Sequence, residues 1–571
     1  MRKRRVVQLE RLEAMKRTYG AAAAQECESV LGELPGATMA DAHSLIRFHD
    51  VLLFLRAFPQ SARVARMADE LLAKCGEQAS KLARLPGADE TFDDERFAGI
   101  DGTAIRNAWT LELARALVHR HSERIGAEWD ADEHYRLFAT ILPNCIPLLD
   151  DDSYVEADTP YFKWIRAAAG SGKGDAGWVV ESFTRLPAAR RLRTSLYDAL
   201  GVQLRWDLRG SPASRTLARR PVLKLFCHSE PLLQRKQVSL LDEMASPALP
   251  LRSLPRKEAQ QIIALAQDAL AVRYRELQGS TYGDPGHAFR AGAGRGVQLF
   301  IWGLDAEWRL PLRGYYAGFT LKNGVPINYF EAIGLCEWME VGFNTFFAFR
   351  EGETAWIYSK VLHLLHQLAG VTCISVYPYQ IGQDNEEAIQ SGAFWFYRKL
   401  GFRPGRAELL EITEREENRM VRDPAHRTSA RTLRKLAQGN MFFEFGGRPA
   451  GQWDTFSTRN LGLEVQRMMA SDYDGDAGKM RCQTAAWLSR QLGISLERCS
   501  SNERRVLEDF SVALSLTPEL TRWTPTEKKA LIAILRTKAK GDETRYFRLT
   551  QGHDALRVAF LRSGSARISR L

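Results

Sequence analysis

Gly342-Phe343-Asn344-Thr345-Phe346-Phe347-Ala348-Phe349 runs directly into Arg350-Glu351-Gly352-Glu353-Thr354-Ala355, and an apolar helical pattern begins at once. The first eight residues read as an aromatic strand. Ile357, Val361, Leu364, Leu365 and Leu368 then recur at three- and four-residue spacing, which puts them on one face of a helix. Thr372 to Tyr377 reads as another short strand, and Ile389, Ala393, Phe396, Tyr397 and Leu400 repeat the helical spacing. A loop that opens a helix offers unpaired N–H groups and the positive end of the helix dipole, a setting that suits a pyrophosphate. Gly352 in that loop lets a ligand approach the backbone closely.

Working upstream, Val297 to Leu304 is an apolar run. Gly314 to Leu321 and Val325 to Ile333 flank Asn323-Gly324, a two-residue hairpin signal because both turn positions need positive φ. Val222 to Cys227 is a further strand candidate, followed by expected helices over 231–245 and 256–278. Downstream, Glu408 to Ile412 is expected to close the series as a strand.

Over residues 290–415 this text resembles the GNAT superfamily of N-acetyltransferases. In that family the loop follows Gln/Arg-x-x-Gly-x-Gly/Ala. Arg350 and Ala355 match the outer positions, whereas Gly352 sits one residue early and Glu353 occupies the register of the inner glycine. The family's last core helix reads Asn-x-x-Ala-x-x-x-Tyr and then Gly-Phe. Gln390, Ala393, Tyr397, Gly401 and Phe402 stand in that register, with only the asparagine changed. The resemblance implies that Phe349, Arg350, Glu351, Gly352, Glu353, Thr354 and Ala355 hold the pyrophosphate of acetyl-CoA or another acyl-CoA, the co-substrate. It implies a parallel strand pair opened into a V for the pantetheine arm. It also makes Tyr397 the general acid that protonates the departing thiolate, a task that suits a phenol.

A base must deprotonate the attacking amine. Glu331 is the first candidate, because it alternates with Ile327, Tyr329 and Ile333 on one strand face, where burial would raise its pKa toward neutrality. Glu337 and Glu340 are alternatives. The same residues also fit plain structural parts: Tyr397 belongs to an aromatic stripe with Phe394 and Phe396, and a glutamate near a strand end is ordinarily solvated. Glu351 and Glu353 put like charge where a diphosphate would sit.

The expected fold is therefore mixed α/β, a GNAT-like central mixed sheet with flanking helices, preceded and followed by all-α regions. The expected divisions are an all-helical domain over 1–168, a linker with Arg-rich helices over 169–220, the acyltransferase-like domain over 221–415, and a helical region over 416–571. The expected activity is acyl transfer from an acyl-CoA to a small-molecule or protein amine by direct attack in a ternary complex. The alternative is a non-catalytic scaffold of the same fold that has lost CoA binding. The sequence leaves the oligomeric state open.

The rest of the sequence narrows the field. A length of 571 residues suggests roughly three to five domains. The formal net charge of +10 is a small excess over mixed charges of both signs, compatible with acidic ligands but selecting none. Charge runs such as Arg190–Arg193 and Arg427–Lys435 read as solvated helix faces, so nucleic acid is not an expected partner. The eight cysteines form no CxxC pair and read as reduced thiols. Val6 onward is a charged amphipathic helix rather than the apolar core of a signal, and no run approaches a membrane span, which makes a cytoplasmic protein the expectation.

Gly170 to Gly177 is not a phosphate loop: Ala167 replaces the first glycine and Gly174 follows Lys173, so a linker is expected. Asp472 to Asp476 lacks the glycine and the bidentate glutamate of a calcium loop, at Ala477 and Gln483. His363 and His366 have no carboxylate or cysteine at ligand spacing, so no metal is expected.

Overall fold

The computed structural model describes residues 2–34, 38–129, 141–146 and 159–565. Among them the chain is mixed α/β. A small antiparallel sheet is built from β1 (Ala104–Asn107), β2 (Ile125–Ala127) and β3 (Leu204–Asp207), with β3 in the middle. A nine-stranded sheet follows, from β4 (Leu251–Ser253), β5 (Gly283–Gly294), β6 (Val297–Leu304), β7 (Gly314–Lys322), β8 (Val325–Leu335), β9 (Trp338–Thr345), β10 (Cys373–Val376), β11 (Arg403–Pro404) and β12 (Met441–Glu444). Its spatial order is β11-β12-β10-β9-β8-β7-β6-β5-β4.

Every pairing in the large sheet is antiparallel except β9 with β10, joined through the helix Thr354–Ala369. That parallel pairing is short. Trp338, Met339 and Glu340 face Cys373, Ile374 and Ser375, and the rest of β9, from Val341 to Thr345, has no partner on that side among the described residues. The β7–β8 turn is as expected, with Asn323 at φ 50 and Gly324 at φ 80.

Several sequence expectations are corrected. The stretch 342–349 is not one strand: β9 starts at Trp338 after a tight turn in which Cys336 takes φ 55, and Phe347–Phe349 is a 3-10 turn. No glycine or asparagine marked that turn. Residues 389–400 form two helices, Glu386–Ser391 and Ala393–Arg398, broken at Gly392 with φ 67. Glu408 to Ile412 lies inside the helix Ala407–Arg422, whose buried Leu409, Thr413 and Glu416 keep helical spacing. The closing strands are instead β11 and β12. Val222 to Cys227 is irregular, tied across the hairpin by Arg220 N–H to Gly324 O and by Phe226 N–H to Asn323 Oδ1, 2.8 and 2.9 Å. The expected helices over 231–245 and 256–278 shrink to Leu240–Met244, Arg256–Ala271 and a last turn at Gln278–Thr281.

The N-terminal part is not all helix, because β1 and β2 lie within it. The glycine-rich linker is absorbed into the helix Tyr161–Arg185, interrupted where Gly170 and Gly174 take φ 62 and 66. Residues 130–140 and 147–158 of the expected all-helical domain lie outside the described residues.

Three clusters of buried apolar side chains hold the molecule together. One joins the helices Ala42–Ala57 and Ala62–Leu82 to the large sheet, one surrounds the small sheet, and one lies among the C-terminal helices and reaches Trp338 and Phe442. The first cluster brings Phe58 against the loop after β9. Among the described residues no helix is long and apolar enough to cross a membrane.

Candidate functional site: the loop after β9

The loop Phe349–Ala355 follows β9 and the 3-10 turn Phe347–Phe349 and opens the helix Thr354–Ala369, where the apolar helical spacing begins. Phe349 and Ala355 are buried, and Thr354 Oγ1 donates to Arg350 O at 3.2 Å. The charged residues of the loop all have partners from elsewhere in the chain. Arg350 pairs with Glu387. Glu351 is held by Lys16 Nζ at 2.6 Å and Arg17 Nε at 3.7 Å, both following the first helix, Arg2–Met15.

Glu353 is fully buried. Its carboxylate accepts a forked pair from Arg295, Nη2 at 2.5 Å and Nε at 3.2 Å, and the Leu233 N–H at 3.1 Å. Lys322 Nζ stands 3.7 Å away. This is charge-assisted pairing of the kind a phosphate would otherwise receive. Arg295 sits at φ 49 in the β5–β6 turn and Lys322 ends β7, so the two hairpins aim their cations at one buried carboxylate.

The electrostatics follow from burial. Lys322 is lowered to about 7, first by loss of water and then by Arg295, with Glu353 opposing. His228, which meets Arg295 Nη2 at 3.3 Å and lies among Tyr19, Phe58 and Phe226, is lowered to about 3 by burial, Lys322 and Arg295. The close approach expected at Gly352 is made by Phe58, whose ring tip lies 2.6 Å from where a Cβ would stand. The chain itself therefore occupies the space over the loop.

The two catalytic candidates are not brought together. Register pairing puts Phe330 opposite Phe343 and Glu331 opposite Gly342. Phe343 faces Tyr358 at 4.9 Å, and Tyr358 meets Tyr397 at 5.8 Å on that side of the sheet. Alternation along the strand sends Glu331 to the other face, where Tyr315 donates to it. Burial raises Glu331, as expected, and the hydrogen bond from Tyr315 opposes the rise.

Tyr397 is buried against Tyr358, Phe396 and Phe402, and loss of water raises its hydroxyl. Glu340 shares the face of Glu331 and is also raised by burial, with Arg313 opposing. Burial alone would raise Glu337 as well, but hydrogen bonds from Arg557 and Trp453 outweigh it and hold the carboxyl low. It is a structural ion pair.

The histidine pair is also corrected. His363 is buried and does have a carboxylate partner, its Nδ1 meeting Glu243 Oε1 at 2.7 Å; His366 Nδ1 meets Val371 O at 2.8 Å. The carboxylate partner comes from a helix more than a hundred residues upstream, which local spacing does not reveal. Among the described residues no cluster of His, Cys, Asp and Glu could hold a metal.

Phe58, Arg295, Lys322 and Lys16 are the residues sequence reading missed. The glycines flanking Arg295 marked a tight turn, and Asn323-Gly324 marked another, but nothing local showed that both turns converge on Glu353. No family model, curated protein or solved structure matches the chain.

Proposed function

We propose that this chain is an acetyltransferase-like module that no longer takes a cofactor at the loop after β9 and serves as a partner-binding scaffold. One observation carries the reading: the buried Glu353 carboxylate holds Arg295, Lys322 and the Leu233 N–H where an anionic ligand would need free donors. Displacing it would mean exposing a buried carboxylate or protonating it, and an incoming diphosphate would also have to move Phe58 and face Glu351. The separation of Glu331 from Tyr397 by the thickness of the sheet supports the same reading, because acid and base must meet one substrate.

A second reading, an acyl-CoA-dependent N-acyltransferase using direct attack on an amine, is favoured by a different observation. The parallel pair β9–β10 is joined over three residues, and Val341 to Thr345 have no partner on that side among the described residues, which is where the family resemblance would put the V. Phe343 on that unpaired part of β9 joins Tyr358, Tyr397 and Phe402 in one aromatic cluster, which places Tyr397 on the same side.

The two readings separate on thiol release. The full chain is incubated with acetyl-CoA and a panel of amines, peptides included, and free CoA is measured. The scaffold reading predicts no release above buffer and no difference between wild type and Tyr397→Phe. Release that Tyr397→Phe abolishes would replace it with the transferase.

A further inference from the structure

The helix Ala393–Arg398 buries Phe394 and Tyr397 toward the core, and its other side borders a pocket of about 920 Å³. Trp395, Phe396 and Lys399 form one wall. Arg235 closes another from the segment before the helix Leu240–Met244. His426 and Arg427 close a third from the loop after the helix Ala407–Arg422.

Three features of this pocket point to one kind of ligand. The first is charge: Arg235, Lys399 and Arg427 line it and no carboxylate does. Arg235 reaches only Lys399 O, at 3.5 Å, and Arg427 donates to Pro424 O and His426 O at 3.1 and 2.9 Å. None of the three forms an ion pair among the described residues. The acids nearby are already engaged: Glu416 by Arg419 and His426 at 2.7 and 2.9 Å, Glu417 by Arg398 at 2.7 Å, and Glu386 by Arg434 at 2.9 Å.

The second is a flat apolar surface. Trp395 is half-buried, fixed by donation from Nε1 to Thr428 Oγ1 at 3.1 Å and by edge-to-face contact with Phe394 at 5.2 Å. Among the described residues no cation lies over its ring, and the side chain lines the pocket. The third is size. The volume falls within the range of sites for small ligands, about 300–1,000 Å³, and one nucleotide fits it.

Unpaired cations beside a fixed aromatic plane are the complement of a planar base carrying phosphate. We propose that this pocket binds a nucleoside phosphate, its base against Trp395 and its phosphates held by Arg235, Lys399 and Arg427. The site is separate from the loop Phe349–Ala355, and the proposal holds whether or not that loop takes a cofactor. The run Arg427–Lys435, which reads in sequence as a solvated face, thus contributes Arg427 to the lining of an open pocket.

The test is calorimetry on the full chain with ADP, adenosine, inorganic phosphate and a short oligouridylate. ADP is expected to bind, with adenosine and phosphate each weaker by about tenfold or more, since each keeps only half of the contacts. Lys399→Glu and Arg427→Glu alter exposed side chains and leave the fold intact. Each should weaken ADP by about tenfold or more, and added salt should weaken it in wild type. Trp395→Phe should keep most of the affinity and Trp395→Leu should lose it. No ADP binding at millimolar concentration would overturn the proposal, as would binding indifferent to both charge reversals. An oligouridylate bound more tightly than ADP would overturn it in favour of a nucleic-acid surface.

Discussion

Glu353 is the residue on which the account turns, because one carboxylate neutralises Arg295 and Lys322 inside the protein. Removing it strands Arg295 in a largely buried setting and pushes Lys322, already lowered to about 7, further toward its neutral form. Glu353→Ala should therefore lower stability by about 3 kcal/mol, the lower end for a broken buried pair because Arg295 keeps part of its surface in water. Urea unfolding of the two proteins checks it, and Glu353→Gln should cost less by keeping acceptor capacity for the Leu233 N–H. The histidines predict an acid response. His228 is lowered to about 3, and His49, fully buried beside Thr216, is lowered to about 4 by burial, with Asp50 opposing. Their folded pKa values lie below the unfolded value of about 6.5, so the unfolded chain takes up protons first. Their contribution is complete above about pH 6.5 and falls away as pH drops toward 4. In midpoint measurements across that range, the double variant His49→Gln, His228→Gln should show a flatter pH dependence than wild type.

At the scale of elements, the loop and the helix Thr354–Ala369 are clamped by the N-terminal helices. Gly352→Ala would drive a methyl into Phe58, whose ring tip is 2.6 Å from the Cβ position, and into Phe349 O at 3.0 Å. Overpacking of this kind costs about 1–3 kcal/mol, read as a shift in denaturation midpoint. Gly392→Ala makes a useful contrast, since it meets nothing within 4 Å and strains only a left-handed backbone at φ 67. The elements also show what was legible. β6, β7, β8, the Asn323-Gly324 turn and the helix after the loop were readable because alternation, a positive-φ pair and three-four spacing are local signals. β9 was displaced by four residues because its entry turn uses Cys336 at φ 55, with no glycine to mark it. The helix Ala407–Arg422 was mistaken for a strand because Leu409, Leu410 and Ile412 are a short apolar run that suits either period until Thr413 and Glu416 are included. β5 passed unread because its glycines and polar residues suppress alternation, and β12 because four residues carry no period.

At the scale of the molecule, the fold class was readable and the state of the site was not. The acidic loop residues were visible as charges facing an expected anion, but whether they block it depends on the Leu233 N–H 120 residues upstream, on Phe58 further upstream still, and on two hairpin turns. Burial against Phe58 and pairing with Arg295 are products of long-range packing, and only the folded chain displays them. The whole-molecule consequence is that the N-terminal helices, the hairpins and the loop are tied together, with Lys16 paired to Glu351 and Phe58 packed over Gly352. The most direct test is calorimetry of acetyl-CoA on the double variant Lys399→Glu, Arg427→Glu, in which the separate basic pocket is disabled and the loop is left untouched. The account predicts no binding at millimolar acetyl-CoA. Micromolar binding by that variant would contradict it, and would mean that Glu353 gives way to the pyrophosphate and that the loop takes the cofactor.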